Sequence, residues 1–77
     1  RAVAEFVVGP GSALDGALVR DIVWPKDSLL VNVCRGEMEM IPHGDLRLLA
    51  GDFIYVFVED REIAALQSLT EPKKEDA

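Results

Sequence analysis

The strongest constraint in this chain is a run of six apolar residues, Phe53 to Val58, which follows the pair Gly51-Asp52. Glycine accepts a positive φ without steric cost and aspartate bonds nearby backbone, so the pair is typical of a tight turn. Six residues rich in valine, isoleucine and aromatic side chains after such a turn predict a strand. Their uniform apolarity predicts that this strand lies in the centre of a sheet.

Both faces of this predicted strand are apolar. Because side chains alternate along a strand, one face carries aliphatic groups and the other aromatic groups, namely Ile54, Val56 and Val58 against Phe53, Tyr55 and Phe57. A sheet with one helix layer needs only one apolar face. Two alternatives stay open for the second. Either a short helix and the last helix of this chain cover one face each, or a second copy or a parent domain covers the aromatic face.

The rest of the chain divides into short elements separated by glycine and proline. In chain order we predict a strand over Val3–Val8, a brief helix over Ala17–Ile22, strands over Leu29–Arg35, Glu37–Ile41 and Leu46–Leu49, and a helix over Asp60–Ser68. Ser12, three residues before Asp15, is expected to cap the short helix. Short turns between strands predict a mainly antiparallel sheet of four to five strands.

The predicted fold class is therefore α+β, with a short helix after the first strand and a C-terminal helix. Residues 1–70 are expected to form one domain. Residues 71–77 are polar, carry a proline and show no hydrophobic period, which predicts a disordered tail.

The charge balance disfavours two classes of partner. Fourteen acidic residues against eight Lys and Arg give a formal net charge of −6, which disfavours nucleic acid and the anionic surface of a membrane.

The longest apolar run is too short to span a bilayer, which takes about 20 residues. Cys34 is the single cysteine, so no internal disulfide can form, and a reducing compartment is expected. The chain opens at Arg1 and enters a strand pattern at once, which we interpret as a piece of a longer protein.

One group of residues could carry chemistry. Glu37 and Glu39 share a strand face, and His43 and Asp45 follow soon after. A hard cation uses carboxylates of this kind, although such sites usually gather six or more oxygens. A solvated sheet face is the favoured interpretation, so we expect no catalytic and no metal site. A small metal or acid–base enzyme is the alternative from another class.

Several short motifs at regular spacing point to a known family. They are Gly11-Ser12, Gly16 with Leu18–Asp21, Pro25, Arg35-Gly36, Pro42 with Gly44-Asp45, and Gly51-Asp52 before an apolar strand. In this order, over about Val3 to Leu69, they resemble the TrkA-C family, the C-terminal lobe of regulators of potassium conductance, also called RCK-C. The resemblance implies a small cytosolic module that dimerises and that senses a ligand or transmits its signal to a transport protein.

The aromatic strand and the final helix resemble most closely the tails of bacterial potassium/proton antiporters of the cell-volume-regulation type. This implies a cytoplasmic domain of an inner-membrane transport protein, with a homodimer and the transmembrane portion of the same chain as partners. The alternative is the equivalent lobe of a potassium-uptake gating-ring subunit or of a chloride-channel relative. The resemblance implies no direct insertion into the membrane.

The resemblance also indicates where a ligand would bind. Some members bind cyclic di-adenosine monophosphate between two such lobes, using an asparagine, an arginine, an isoleucine-rich segment and a proline. Here Leu29 stands where the asparagine would be and Trp24-Pro25 replaces the arginine region, which argues against this nucleotide. No cofactor is expected in this domain. The candidate ligand residues are Arg20, Ile22, Leu29, Arg35 and Pro42, and the candidate dimer or partner face is Phe53, Tyr55 and Phe57.

Overall fold

A computed structural model describes residues 2–72 of the chain. Four strands form one antiparallel sheet in the order β1-β4-β2-β3, with β1 at Ala2–Val7, β2 at Leu29–Arg35, β3 at Met38–Met40 and β4 at Phe53–Val58. Two single-turn 3-10 helices lie at Val19–Asp21 and Asp60–Glu62, and the helix α1 spans Ile63–Thr70. The predicted α+β class, with an antiparallel sheet and a C-terminal helix, is confirmed.

The strand β4 is central, as its composition predicts. It pairs along its full length with β1, from Val7 opposite Phe53 to Ala2 opposite Val58. On its other side it pairs with β2, where the register shifts between Leu30 and Asn32. Because it is paired on both sides, β4 has hydrogen-bond partners for its backbone within the sheet, as a strand in the centre of a sheet requires.

The core lies on one side of the sheet. Leu66 of α1 is fully buried, and Ile63 and Leu69 pack beside it, which confirms the helical stripe predicted from their spacing. The fully buried apolar residues are Val8, Leu14, Val33, Leu48, Ile54, Val56, Val58 and Leu66. The segment before β2 joins this same cluster through Val19, Ile22 and Trp24. The alternative in which two helices cover opposite faces is therefore wrong.

Of two predicted elements, one is shorter than predicted and the other is wrong, for a shared reason. The brief helix predicted over Ala17–Ile22 is confirmed only as the single 3-10 turn Val19–Asp21, and Leu46–Leu49 is not a strand of the sheet. These segments bond to each other instead: the amide of Val19 donates to the carbonyl of Leu46 at 2.9 Å, and the amide of Leu48 donates to that of Ala17 at 2.9 Å. Because their backbone groups are used between the two segments, neither is free to extend a helix or the sheet.

The predicted cap at Ser12 is also not formed. Its side chain is buried and its hydroxyl oxygen has no hydrogen-bond partner among the described residues. The carboxylate of Asp15 instead accepts from the amides of Gly11 at 2.9 Å and Ala50 at 3.0 Å. Asp15 therefore joins two loops rather than a helix terminus.

The end of α1 is joined to the end of β1. The amide of Gly9 donates to the carbonyl of Thr70 at 2.7 Å, and Pro72 lies against the same glycine. Of the tail predicted at residues 71–77, residues 73–77 lie outside the described part of the chain. Within residues 2–72, no helix combines the length and apolarity needed to cross a bilayer.

Candidate interaction surface

The side of the sheet opposite the core carries an apolar surface that none of residues 2–72 covers, here called the outer face. Cross-strand pairing assigns its residues, because partners in register point to the same side. Val3, Glu5 and Val7 of β1 stand opposite Phe57, Tyr55 and Phe53 of β4, which stand in turn opposite Leu29, Asn32 and Cys34 of β2, with Glu39 of β3 beyond Cys34.

The exposure of this face separates it sharply from the core face. Ile54 and Val56 are fully buried, whereas Phe53 on the same strand is 41% exposed. Leu29 is 64% exposed and Val3 57%. An exposed apolar surface of this kind is a candidate site of interaction.

A polar row crosses the middle of the outer face. The amide nitrogen of Asn32 donates to a carboxylate oxygen of Glu39 at 2.7 Å. At the other end, a hydrogen bond to the carboxylate of Glu5 raises the pKa of Tyr55, with desolvation and nearby negative charge acting in the same direction. The phenol therefore stays protonated and donates to Glu5, and both carboxylates are held in defined positions.

The cations predicted as ligand residues both have acidic partners. Arg20 forms an exposed ion pair with Asp45. Arg35 lies on the core side of the sheet, where its Nε and Nη2 atoms each donate to Asp52 at 2.8 Å. An anion would have to compete with a carboxylate at either position.

Burial alone would raise the pKa of Asp52, but the hydrogen bond from Arg35, the amide of Leu49 and the charge of Arg35 outweigh it, so the pKa lies below its usual value. The same guanidinium donates to the carbonyl of Arg47 at 2.9 Å. The structure thus uses Arg35 to hold the turn before β4.

Two of the candidate ligand residues lie far apart within the chain. Leu29 and Arg35 are at opposite ends of β2, roughly 20 Å apart at the rise of a strand. Ile22 lines a groove of about 260 Å³ between the segment that follows β1 and Leu69 of α1. Pro42 lies just after β3. Leu29 and Arg35 therefore cannot both contact one small ligand within one chain, and the roles of all the candidate ligand residues remain predictions.

The acidic group considered as a metal or acid–base centre is dispersed. Glu39 is engaged with Asn32 on the outer face, and Asp45 is engaged with Arg20. Across residues 2–72, no three His, Cys, Asp or Glu side chains are arranged to hold a metal ion.

Sequence reasoning identified the aromatic residues of the outer face but missed its polar row and the role of Asp52. Alternation places Phe53 and Tyr55 on one side, but only the register of β1, β2 and β3 shows that Glu5 and Glu39 share it. Asp52 was interpreted as a turn residue. The arginine that pairs with it lies 17 positions earlier, a separation that carries no local signal.

The comparisons with known proteins agree with this fold. A sequence model of the TrkA-C domain family matches residues 3–70, and the chain therefore belongs to this family of regulatory domains. A solved structure described as "Structure of RCK domain with cda" superposes with a TM-score of 0.80 over 92% of this chain and 100% of the other, at 21% sequence identity. That likeness concerns the fold. A search of curated protein sequences finds no match.

Proposed function

We propose that this TrkA-C domain is a cytoplasmic, non-catalytic regulatory module of a bacterial monovalent-cation transporter, which changes transport by engaging another protein surface. Membership of the family supports a regulatory role. The observation that carries the proposal is the outer face, where Leu29, Val3 and Phe53 are 64%, 57% and 41% exposed. A module whose function is mechanical coupling needs such a surface, whereas an independent enzyme does not.

The proposal includes two partners, a second copy of the domain and the transmembrane portion of the transporter. A potassium/proton antiporter of the cell-volume-regulation type is the proposed parent, and a potassium-uptake gating ring is the second candidate. The reading frame upstream of Arg1 separates them: about ten or more apolar spans favour the antiporter, and a glycine-rich βαβ unit favours the gating ring.

Transport by the parent protein tests the regulatory role. Flux of K⁺ and protons in inverted membrane vesicles is compared for the intact transporter, a form lacking residues 2–72, and the variant Phe53→Asp at matched protein levels. We expect both altered forms to lose the regulated component of flux while retaining basal transport. Identical regulation in all three forms would overturn the proposal.

Ligand sensing is tested separately by thermal unfolding in the presence of candidate small molecules. A ligand that binds only the folded domain raises the unfolding midpoint by mass action. If Arg20, Leu29 and Pro42 form the site, Arg20→Ala should remove the shift without changing the midpoint of the free domain by more than one or two degrees. A shift that survives Arg20→Ala contradicts this assignment.

A further inference from the structure

We infer that the outer face binds an amphipathic helix with basic residues beside its apolar stripe, contributed by the assembled transporter rather than by the outer face of a second copy. The source of this helix rests on the proposed function. The chemistry of the helix rests on the size, composition and charge of the outer face alone.

The arrangement of apolar residues on the outer face suits an α-helix as partner. On the central strand β4, Phe53 and Phe57 stand beside Val7 and Val3 of the edge strand β1, and Phe57 also stands beside Leu29 of β2. Tyr55 lies between the two phenyl rings along β4. Helices present apolar side chains in a stripe with polar groups on either flank, so a helix that lies along β4 meets this surface with side chains at spacings of three and four residues.

The dimensions of the face favour one helix over a second sheet. Six residues of β4 extend about 20 Å, and four strands at about 4.8 Å spacing give a width of roughly 15–19 Å. The plan area is therefore about 350 Å², roughly half of the ~800 Å² per partner found in stable dimers. A helix of about 13 residues is also about 20 Å long and about 10 Å wide, which matches the length of β4 and the width of two strands and leaves the edge strands on its flanks.

The charge of the face excludes its own copy more directly. Among the strand residues of the outer face, Glu5 and Glu39 are the only ones that carry a charge at neutral pH. Two outer faces stacked together would bring these carboxylates into one interface with no cation opposite among the described strand residues, in chains of formal charge −6 each. Like charges in an interface cost free energy and reject the wrong partner.

A basic helix supplies cations for these two carboxylates, which the outer face of a second copy does not. Glu5 and Glu39 stand on the two edge strands β1 and β3, on either side of the central strands β4 and β2. Each already has a neutral donor, Tyr55 or Asn32, that fixes its position. A carboxylate oriented in this way is ready to pair with a lysine or arginine on the rim of an apolar contact.

The test uses the 77-residue chain and a designed probe. The probe is a 14-residue helical peptide with leucine along one face and lysine on both flanks, and its matched control has glutamate at every lysine position. Binding is measured by fluorescence anisotropy at fixed ionic strength. We expect the lysine peptide to bind at least tenfold more tightly than the glutamate peptide.

Charge reversal in the domain makes the test two-sided. The double variant Glu5→Lys/Glu39→Lys should prefer the glutamate peptide, and the milder Glu5→Gln/Glu39→Gln should bind both peptides alike. Phe53→Asp should abolish binding, whereas Val23→Asp, at an apolar residue that is 88% exposed elsewhere on the surface, should leave it unchanged. Circular dichroism checks the fold of each variant.

Three outcomes would overturn the inference. Equal binding of both peptides to the unaltered chain would show that Glu5 and Glu39 do not select a basic helix. A dimer seen by sedimentation that Phe53→Asp dissociates assigns the face to a second copy. Binding of the chain to phosphatidylcholine vesicles through Phe53 assigns it to a lipid surface. None of these results bears on the flux measurement, so failure of this inference is distinguishable from failure of the proposed function.

Discussion

Asp52 and Arg35 form a two-bond ion pair across 17 residues of sequence, in which Nε donates to Oδ1 and Nη2 to Oδ2, each at 2.8 Å. Asp52 is only 1% exposed, and the amide of Leu49 donates to its Oδ2 atom at 2.8 Å. The pair fixes the turn that starts β4 to the end of β2. The pair lies next to the cross-strand pairing of Cys34 with Phe53, the first aromatic residue of β4 on the outer face.

Removing the charge of Asp52 should lower stability. Asp52→Asn leaves the guanidinium of Arg35 without its carboxylate in a half-buried site, and we expect a loss of about 2 kcal/mol in the free energy of unfolding. Urea denaturation measures the change. The matched substitution Asp60→Asn, at an exposed position, should cost less than about 0.5 kcal/mol. Equal losses in the two variants would contradict the role given to the pair.

The same carboxylate should govern part of the acid sensitivity. The folded pKa of Asp52 is lowered from its ordinary value of 3.8, so the folded state binds fewer protons than the unfolded state. Its stabilisation is complete above that ordinary value and is lost as the pH falls through the folded pKa. Between about pH 4 and pH 2, the wild-type chain should therefore lose more stability than Asp52→Asn. If the stability of the two proteins falls in parallel over this pH range, Asp52 does not contribute to the acid sensitivity.

The pKa of Tyr55 reports the polar row directly. Tyr55 is the single tyrosine, so the phenolate absorbance of the chain titrates one group. The hydrogen bond to Glu5 raises its pKa above the ordinary value of 10.0, and Glu5→Gln should bring it closer to that value because the negative charge is lost. Glu71→Gln, at an exposed residue beyond α1, serves as the control and should leave the titration unchanged.

A methyl group at Gly9 should separate α1 from the end of β1. An added Cβ would lie 2.5 Å from the carbonyl oxygen of Thr70 and 2.9 Å from Cδ of Pro72. Because the first contact is with backbone, relief requires movement of the helix terminus, and we expect Gly9→Ala to lower the thermal midpoint by several degrees. Ser68→Ala on the exposed side of α1 is the control. An unchanged midpoint for Gly9→Ala would show that this junction is loose.

Truncation on the two faces of the sheet should have unequal costs. Ile54→Ala removes a fully buried side chain and should destabilise the domain by about 2–5 kcal/mol. Leu29 is 64% exposed on the outer face, so Leu29→Ala should cost less than about 1 kcal/mol in the isolated chain. Comparable losses in chemical denaturation would mean that the outer face is already covered.

The local hydrophobic pattern predicts an element correctly where the backbone of the same residues forms the hydrogen bonds of that element. Alternating apolar residues specified β2 and β4, and the spacing of Ile63, Leu66 and Leu69 specified the buried stripe of α1. Pattern failed at Leu46–Leu49, whose residues suit a strand. There the hydrogen-bond partners of the backbone decided the outcome, and these partners are residues 17–19, nearly thirty positions earlier.

By itself the sequence determined the class of fold, the central place of β4 and the division of its side chains into an aliphatic and an aromatic face, because these follow from periods of two and 3.6 residues. Only the tertiary structure decided that α1 and the preceding loops share one face, that Glu5 and Glu39 border the other, and that Arg35 belongs to Asp52. Those relationships join residues distant along the chain. They depend on strand order and register, which the packing of the whole domain fixes and no local pattern encodes.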